Sequence, residues 1–213
     1  MVRLHDYWRS SASYRVRIAL GLFGIAYDRV VVDLLEGAQR ATANLRLNKQ
    51  GLVPTLEIDG LVLTQSLAIV EYLEDSRGPM ILPPDPGGRA RVRALADAIA
   101  MEIAPVCAMY VRKHVEGLSG GTMTAIEWQR HYITRGFAAL EAMLGDGKAG
   151  RFCHGDTLTL ADIALMPQVY SAERAGVDLS RYPRMAAIAG RLAEAPAVAA
   201  AHPDRFRPAK GPF

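Results

Sequence analysis

The run Arg9-Ser10-Ser11-Ala12-Ser13 places three hydroxyls and a cation immediately ahead of a helical pattern. Ser13 alone would suffice to cap that helix. Ser10 and Ser11 are then left over, and they lie where the helix dipole favours negative charge. A thiolate held there is stabilised by hydroxyl donors and backbone N–H groups. No cysteine stands at the spot, so the thiol has to arrive with a ligand. Gln65-Ser66 opens another helix, where free N–H groups suit a carboxylate; a plain serine cap explains the same residues equally well. Val53-Pro54 precedes a strand, and proline cannot feed an interior ladder. In cis it would expose the Val53 backbone to pair with an extended peptide. In trans it is a turn proline, the form the residues alone favour. Thr159-Leu160-Ala161-Asp162 has the spacing of a capping box. It is a folding element worth about 1 kcal/mol and carries no chemistry.

These residues need elements to position them. Val2 to Tyr7 reads as a strand, Tyr14 to Phe23 as a helix, and Tyr27 to Asp33, with Val30-Val31-Val32, as a second strand. Ala41 to Leu47 is a short helix. Thr55 to Ile58 and Leu61 to Leu63 flank Asp59-Gly60, a hairpin signal because both turn positions need positive φ. Ser66 to Asp75 is a helix. The order β-α-β-α-β-β-α predicts a mixed sheet with helices against it. Gly78-Pro79, Pro83-Pro84-Asp85-Pro86 and Gly87-Gly88 then interrupt all regular structure, which sets domains at 1–82 and 83–213. Beyond lie only helices: Arg89 to Val115, broken at Pro105, then Thr124 to Leu144, Ala161 to Ala175 and Met185 to Glu194. The tail from Pro203 to Phe213 reads as extended.

At 213 residues the chain can bury a core without disulfides or metals. Half of it is hydrophobic and 22% charged, ordinary proportions for a globular protein. Mean hydropathy is +0.07. No apolar run is long enough to span a bilayer, which argues against a membrane partner. A net charge of +3, with no run of Lys and Arg, argues against nucleic acid. Cys107 and Cys153 make no disulfide framework and match no metal spacing. The N-terminus lacks the apolar run of a signal peptide, so a reducing cytoplasm is expected.

The run from Tyr7 through Arg15-Val16-Arg17-Ile18-Ala19-Leu20 resembles the signature of zeta-class glutathione transferases, the class of maleylacetoacetate and maleylpyruvate isomerases. The resemblance continues at Asn48 to Pro54, Leu63 to Ile69, Gly155 to Asp162, Pro167 to Tyr170 and Gly176 to Leu179. It implies a thioredoxin-like N-terminal domain with a mixed four-stranded sheet, then an all-helical C-terminal domain, in a homodimer. It implies that Pro54 is cis, that Val53 pairs with the cysteinyl backbone of glutathione, and that Gln50 helps to hold the tripeptide. Gln65 and Ser66 would hold the γ-glutamyl end. Ser10, with Ser11 and Arg9 beside it, would stabilise the thiolate.

The activity implied is cis–trans isomerisation of a maleyl keto acid to its fumaryl isomer. The thiolate adds to the cis double bond, charge moves onto the conjugated carbonyl, the bond rotates, and the thiolate leaves. Glutathione is regenerated and is a cofactor. The substrate's two carboxylates need cations, for which Arg9 and Arg174 are the candidates, since a guanidinium binds carboxylate through two bonds. The chain departs from the family at Ala104, Cys107 and Ala108, where relatives carry polar residues, and at Ala12, where many carry Cys. That opens two other readings: a zeta-like transferase for an α-halo acid or haloaromatic, and a non-catalytic binding protein on the same fold.

Overall fold

Asp59 and Gly60 take φ of +54° and +78°, the left-handed pair that a two-residue hairpin turn requires. The computed structural model describes residues 1–209. Residues 210–213, the end of the tail read as extended, lie outside the described residues. The hairpin joins Thr55–Ile58 (β3) to Leu61–Thr64 (β4), antiparallel, with Ile58 opposite Leu61. β3 pairs antiparallel with Arg3–Asp6 (β1), and β1 pairs parallel with Asp28–Val31 (β2). The sheet is thus the mixed one expected, in the order β2-β1-β3-β4. A parallel pair needs a crossover, and Ser11–Leu22 (α1) supplies it. Thr42–Leu47 (α2) and Ser66–Arg77 (α3) complete this part.

The chain forms two compact units, Met1–Gly78 with the segment from Pro196, and Pro79–Ala195. In the second unit, Pro86–Asp97 (α4) begins three residues before the expected start, because Asp85 caps it by accepting the Gly88 N–H at 2.7 Å. A π-helical stretch, Ala98–Ile103, and a turn around Pro105 separate α4 from Met109–Leu118 (α5). So the long helix is interrupted over a wider stretch than the proline alone announces. Ala125–Met143 (α6), Leu160–Arg174 (α7) and Pro183–Glu194 (α8) complete the unit's helices. Val92, Leu95, Ile99, Ile133, Phe137, Leu140, Ile163 and Leu165 form the core of this unit. Gly136 is required by close approach: a Cβ there would lie 2.4 Å from Ile103 Cδ1.

The C-terminal segment corrects the extended reading at its start, Pro203–Phe206, and keeps Arg207 extended. Pro196–Ala200 (α9) leads into a 3₁₀ turn at Pro203–Phe206. Proline suits the first helical position, where its missing N–H is not needed. α9 packs on α1, where Gly21 lets Ala197 approach to 3.3 Å of an added Cβ. A buried arginine and a half-buried one hold the residues after α9: Arg17 Nε donates to Ala201 O at 3.1 Å and Arg29 Nη1 to Phe206 O at 3.3 Å. These tertiary partners, absent from any local signal, group the segment with the first unit.

Arg91 of α4 forks onto Asp146 at 2.6 and 2.8 Å and donates to Cys153 O at 2.7 Å. Those hydrogen bonds hold the Asp146 carboxyl at about 2, below its ordinary 3.8. A depressed carboxyl stabilises above the unfolded value and loses that contribution as pH falls through the folded one. Asp146 is 40% exposed, so screening keeps the effect under ~1 kcal/mol. Urea midpoints for Asp146→Asn should lie slightly below wild type at neutral pH and converge with it between pH 3.8 and about 2. A gap unchanged at the acid end would contradict this assignment.

Candidate active site

The turn from β1 into α1 carries Arg9 and Ser10, and buried groups fix it. Tyr7 O accepts the Ser10 N–H at 2.9 Å, and Trp8 O accepts Arg17 Nη2 at 3.0 Å. Arg17 is itself paired with Asp6 at 2.7 Å, both side chains fully buried. Ser10, rather than Ser13, is the cap of α1, because the helix begins at Ser11. Its Oγ accepts the Ser13 N–H at 3.2 Å. A hydroxyl that accepts still has its own hydrogen to donate. Ser11 is the first helical residue and is half-buried. The Arg9 guanidinium lies 5.5 Å from the Trp8 ring centre and 6.0 Å from that of Tyr7, within cation–π range. It is half-buried.

Asn48 builds the next segment. Its Oδ1 accepts the Gln50 N–H at 3.0 Å, its Nδ2 donates to Leu52 O at 3.1 Å, and its carbonyl accepts the Gly51 N–H at 3.0 Å. This side-chain turn presents Gln50, whose Oε1 accepts from Gln65 Nε2 at 2.8 Å. Two glutamines fifteen positions apart are thereby brought together. The Val53–Pro54 bond is cis, the form the resemblance implied and the residues alone did not favour. Val53 itself lies outside the ladders of β3, which begin at Thr55.

Gln65 has φ of +66°. A non-glycine residue held there marks strain of the kind that collects at binding sites. It makes no side-chain cap to α3. Ser66 opens α3 and is buried, and its Oγ accepts from Arg15 Nε at 2.9 Å. Arg15 comes from α1 and is 4% exposed. Burial lowers its guanidinium to about 10. Sequence reading singled out neither Asn48 nor Arg15. Asn48 was legible, since Asn48-Lys49-Gln50-Gly51 is a turn signal. Arg15 was not, because only packing tells a buried helical arginine from a solvated one.

In the second unit Arg174 ends α7 and is exposed, 5.8 Å from the Tyr170 ring centre. Cys107 is buried and turned inward, its Sγ 3.8 Å from Gln129 O. Burial pushes its thiol up to about 11, which leaves it unreactive. Hydrogen bonding absent at Ala104, Cys107 and Ala108 reappears one turn on. Arg112 Nη1 donates to Gln129 Oε1, and Gln129 Nε2 donates to Ser171 Oγ at 2.8 Å. Ser171 lies one turn before Arg174. Three separate helices supply this chain, so no sequence motif announces it. Asp162 accepts the Thr159 N–H, the Thr159 hydroxyl and the Cys153 N–H at 2.8, 2.7 and 2.9 Å, a folding element that also pins a loop. A cavity of about 300 Å³ between Met80–Asp85 and the segment from His154 to Thr159 holds none of the candidate binding residues.

Comparison with known proteins places this geometry. Residues 9–76 match the glutathione S-transferase N-terminal domain and residues 89–191 the C-terminal domain. A maleylacetoacetate isomerase of Rhizobium meliloti is 53% identical over 207 residues, 96% of this chain and 97% of that one. The holo structure of a bacterial zeta-class maleyl pyruvate isomerase superposes with a TM-score of 0.93 at 40% identity, covering 98% and 100% of the two chains. The maleylacetoacetate isomerase of Anaeromyxobacter dehalogenans, solved with dicarboxyethyl glutathione and citrate in its active site, has a TM-score of 0.86 at 43% identity, covering 100% and 98%. The chain belongs to the glutathione S-transferase family, among its zeta-class maleylacetoacetate and maleylpyruvate isomerases.

Proposed function

We propose that this chain is a glutathione-dependent isomerase that converts a maleyl keto acid, maleylacetoacetate or maleylpyruvate, to its fumaryl isomer. The observation that carries the reading is Ser10, a helix cap with its hydroxyl hydrogen still to give, at a helix N-terminus with no resident cysteine. The residues present fit glutathione. Val53 offers backbone outside the ladders, Gln50 and Gln65 form one amide pair, and Ser66 stands over a buried arginine Nη1 that has no partner among the described residues. When bound, glutathione supplies a thiolate that adds reversibly to the cis double bond, which permits rotation.

The chain's own residues do the rest. The Ser10 hydroxyl donates to the sulfur, with Ser11 and the first-turn amides of α1 adding positive potential. A free thiol has a pKa of about 8.5, and lowering it by ~2 units needs ~2.7 kcal/mol of preferential stabilisation. Arg9 contributes charge near the sulfur and a partner for one substrate carboxylate. Arg174 takes the other, consistent with the two carboxylates of the dicarboxyethyl group carried by the Anaeromyxobacter relative. We place the enzyme in the cytoplasm as a homodimer, a state that sedimentation of the purified chain would check. Among the described residues no helix is long and apolar enough to cross a membrane.

The test is ultraviolet absorbance decay of maleylacetoacetate and maleylpyruvate with and without glutathione, with a fumaryl hydrolase reporting the trans product. Turnover that requires glutathione is expected. Arg174→Ala should raise KM for the keto acid ~10–100-fold, the worth of a charged hydrogen bond, and leave KM for glutathione unchanged. No turnover of either substrate, with glutathione still bound, would turn the reading to an α-halo acid or haloaromatic. An equal rise in both KM values would remove Arg174 from the substrate.

A further inference from the structure

Among the described residues Arg15 is a cation without an anion. It is 4% exposed, and Nε donates to Ser66 Oγ at 2.9 Å. Nη1 is buried with no hydrogen-bond partner among the described residues. Among the described residues no carboxylate pairs with it, and burial lowers its guanidinium to about 10. The contrast is Arg17, two residues on, which is buried against Asp6 at 2.7 Å and donates to two backbone carbonyls. An unpaired buried charge is costly, and folded proteins keep one only where something else compensates it. Here the uncompensated cation touches the first residue of a twelve-residue helix, α3. The residue before that helix is held at φ +66° and makes no cap. Charge, orphan donor and uncapped helix N-terminus all ask for the same thing, an anion.

The Arg15 contact also orients Ser66. With one lone pair of Oγ occupied by Nε–H, the hydroxyl hydrogen turns outward as a donor, polarised by the cation behind it. We propose that Arg15 is a positioning residue of the glutathione site: from α1 it aims the Ser66 hydroxyl at the α-carboxylate of the γ-glutamyl group and supplies the cation that offsets its charge. This rests on the assignment of Gln65 and Ser66 to that end of the tripeptide. The buried charge then weakens the ligand-free fold and strengthens the ligand-bound one.

The test separates charge recognition from structural support. Isothermal titration calorimetry compares glutathione with γ-aminobutyryl-cysteinyl-glycine, which keeps the amine and lacks only the α-carboxylate, and with the α-carboxamide of glutathione, which keeps the amine and replaces the carboxylate by a neutral group of the same shape. All three are titrated into wild type, Arg15→Lys and Arg15→Met. Wild type should prefer glutathione over either analogue by ~30-fold or more, as for a buried charge pair losing one partner. Arg15→Met should bind glutathione and the carboxamide alike, and Arg15→Lys should recover part of the preference. Ligand-free Arg15→Met should melt no lower than wild type. A variant that melts lower but keeps the wild-type preference makes Arg15 structural only and overturns the proposal. A wild type that binds glutathione without preferring it removes the carboxylate from Gln65 and Ser66, and the assignment of that site falls with the proposal. Should Arg15→Met not fold, Arg15→Gln carries the same comparison.

Discussion

Ser10→Gly should lose ~10²–10³-fold in kcat, the effect of removing one preorganised donor from a developing or stabilised anion, while its stability changes by only a few tenths of a kcal/mol. The choice of glycine matters. Ser10 does two jobs, since its Oγ caps α1 by accepting the Ser13 N–H at 3.2 Å while its hydroxyl hydrogen is left to donate. Alanine would remove both and cost about 1 kcal/mol of helix stability. Glycine is a tolerable cap and cannot donate from a side chain. Comparing the two variants therefore separates folding from chemistry. The second readout is the thiolate absorbance of bound glutathione titrated with pH. Its midpoint should move up toward the free value of about 8.5 in both variants. If Ser10→Gly keeps a third or more of wild-type kcat, Ser10 is a cap and the donor lies elsewhere, with Ser11 the next residue to change.

Asp6→Ala should destabilise the protein by ~3–5 kcal/mol, the cost of leaving the buried Arg17 and the half-buried Arg29 without their carboxylate. Asp6 is fully buried at the end of β1 and holds two cations, Arg17 Nη1 at 2.7 Å and Arg29 Nε at 2.6 Å. Arg17 reaches on to Trp8 O and Ala201 O, and Arg29 to Phe206 O. The Phe206 ring lies 4.6 and 5.3 Å from the two guanidinium carbons. One carboxylate thus ties β1, α1, β2 and the C-terminal segment together, and it steadies the turn that presents Arg9 and Ser10. Urea unfolding of the variant should show the loss, and kcat should fall with it. Replacing Asp6, Arg17 and Arg29 together by apolar residues should cost much less than Asp6→Ala, because no charge is then stranded. A loss under ~1 kcal/mol for the single variant would mean that water reaches the arginines.

Much of this protein can be read from residues near each other in the chain. The hairpin at Asp59-Gly60, the serine-rich helix entry after Trp8, the Thr159–Asp162 box and the proline-rich break before α4 are local. Each turns on a dihedral requirement or a donor that needs a neighbour within four positions. The family, and with it glutathione and the maleyl chemistry, was legible because the signature from Tyr7 to Leu20 is contiguous. What the tertiary structure alone decided is the fate of charges and amides whose partners lie far off in the sequence. Arg15 and Arg17 differ by two positions in one helix, and sequence distinguishes neither from a solvated arginine. Packing gives Arg17 a carboxylate from β1 and gives Arg15 a serine from α3, with a nitrogen unanswered among the described residues. Gln50 meets Gln65, and Arg112 reaches Ser171 through Gln129, only because separate elements converge. The C-terminal segment turns and docks for the same reason. Local propensity sets where elements begin and end, but a buried polar group is placed by the partner it must find, and that partner is fixed only when the chain is folded.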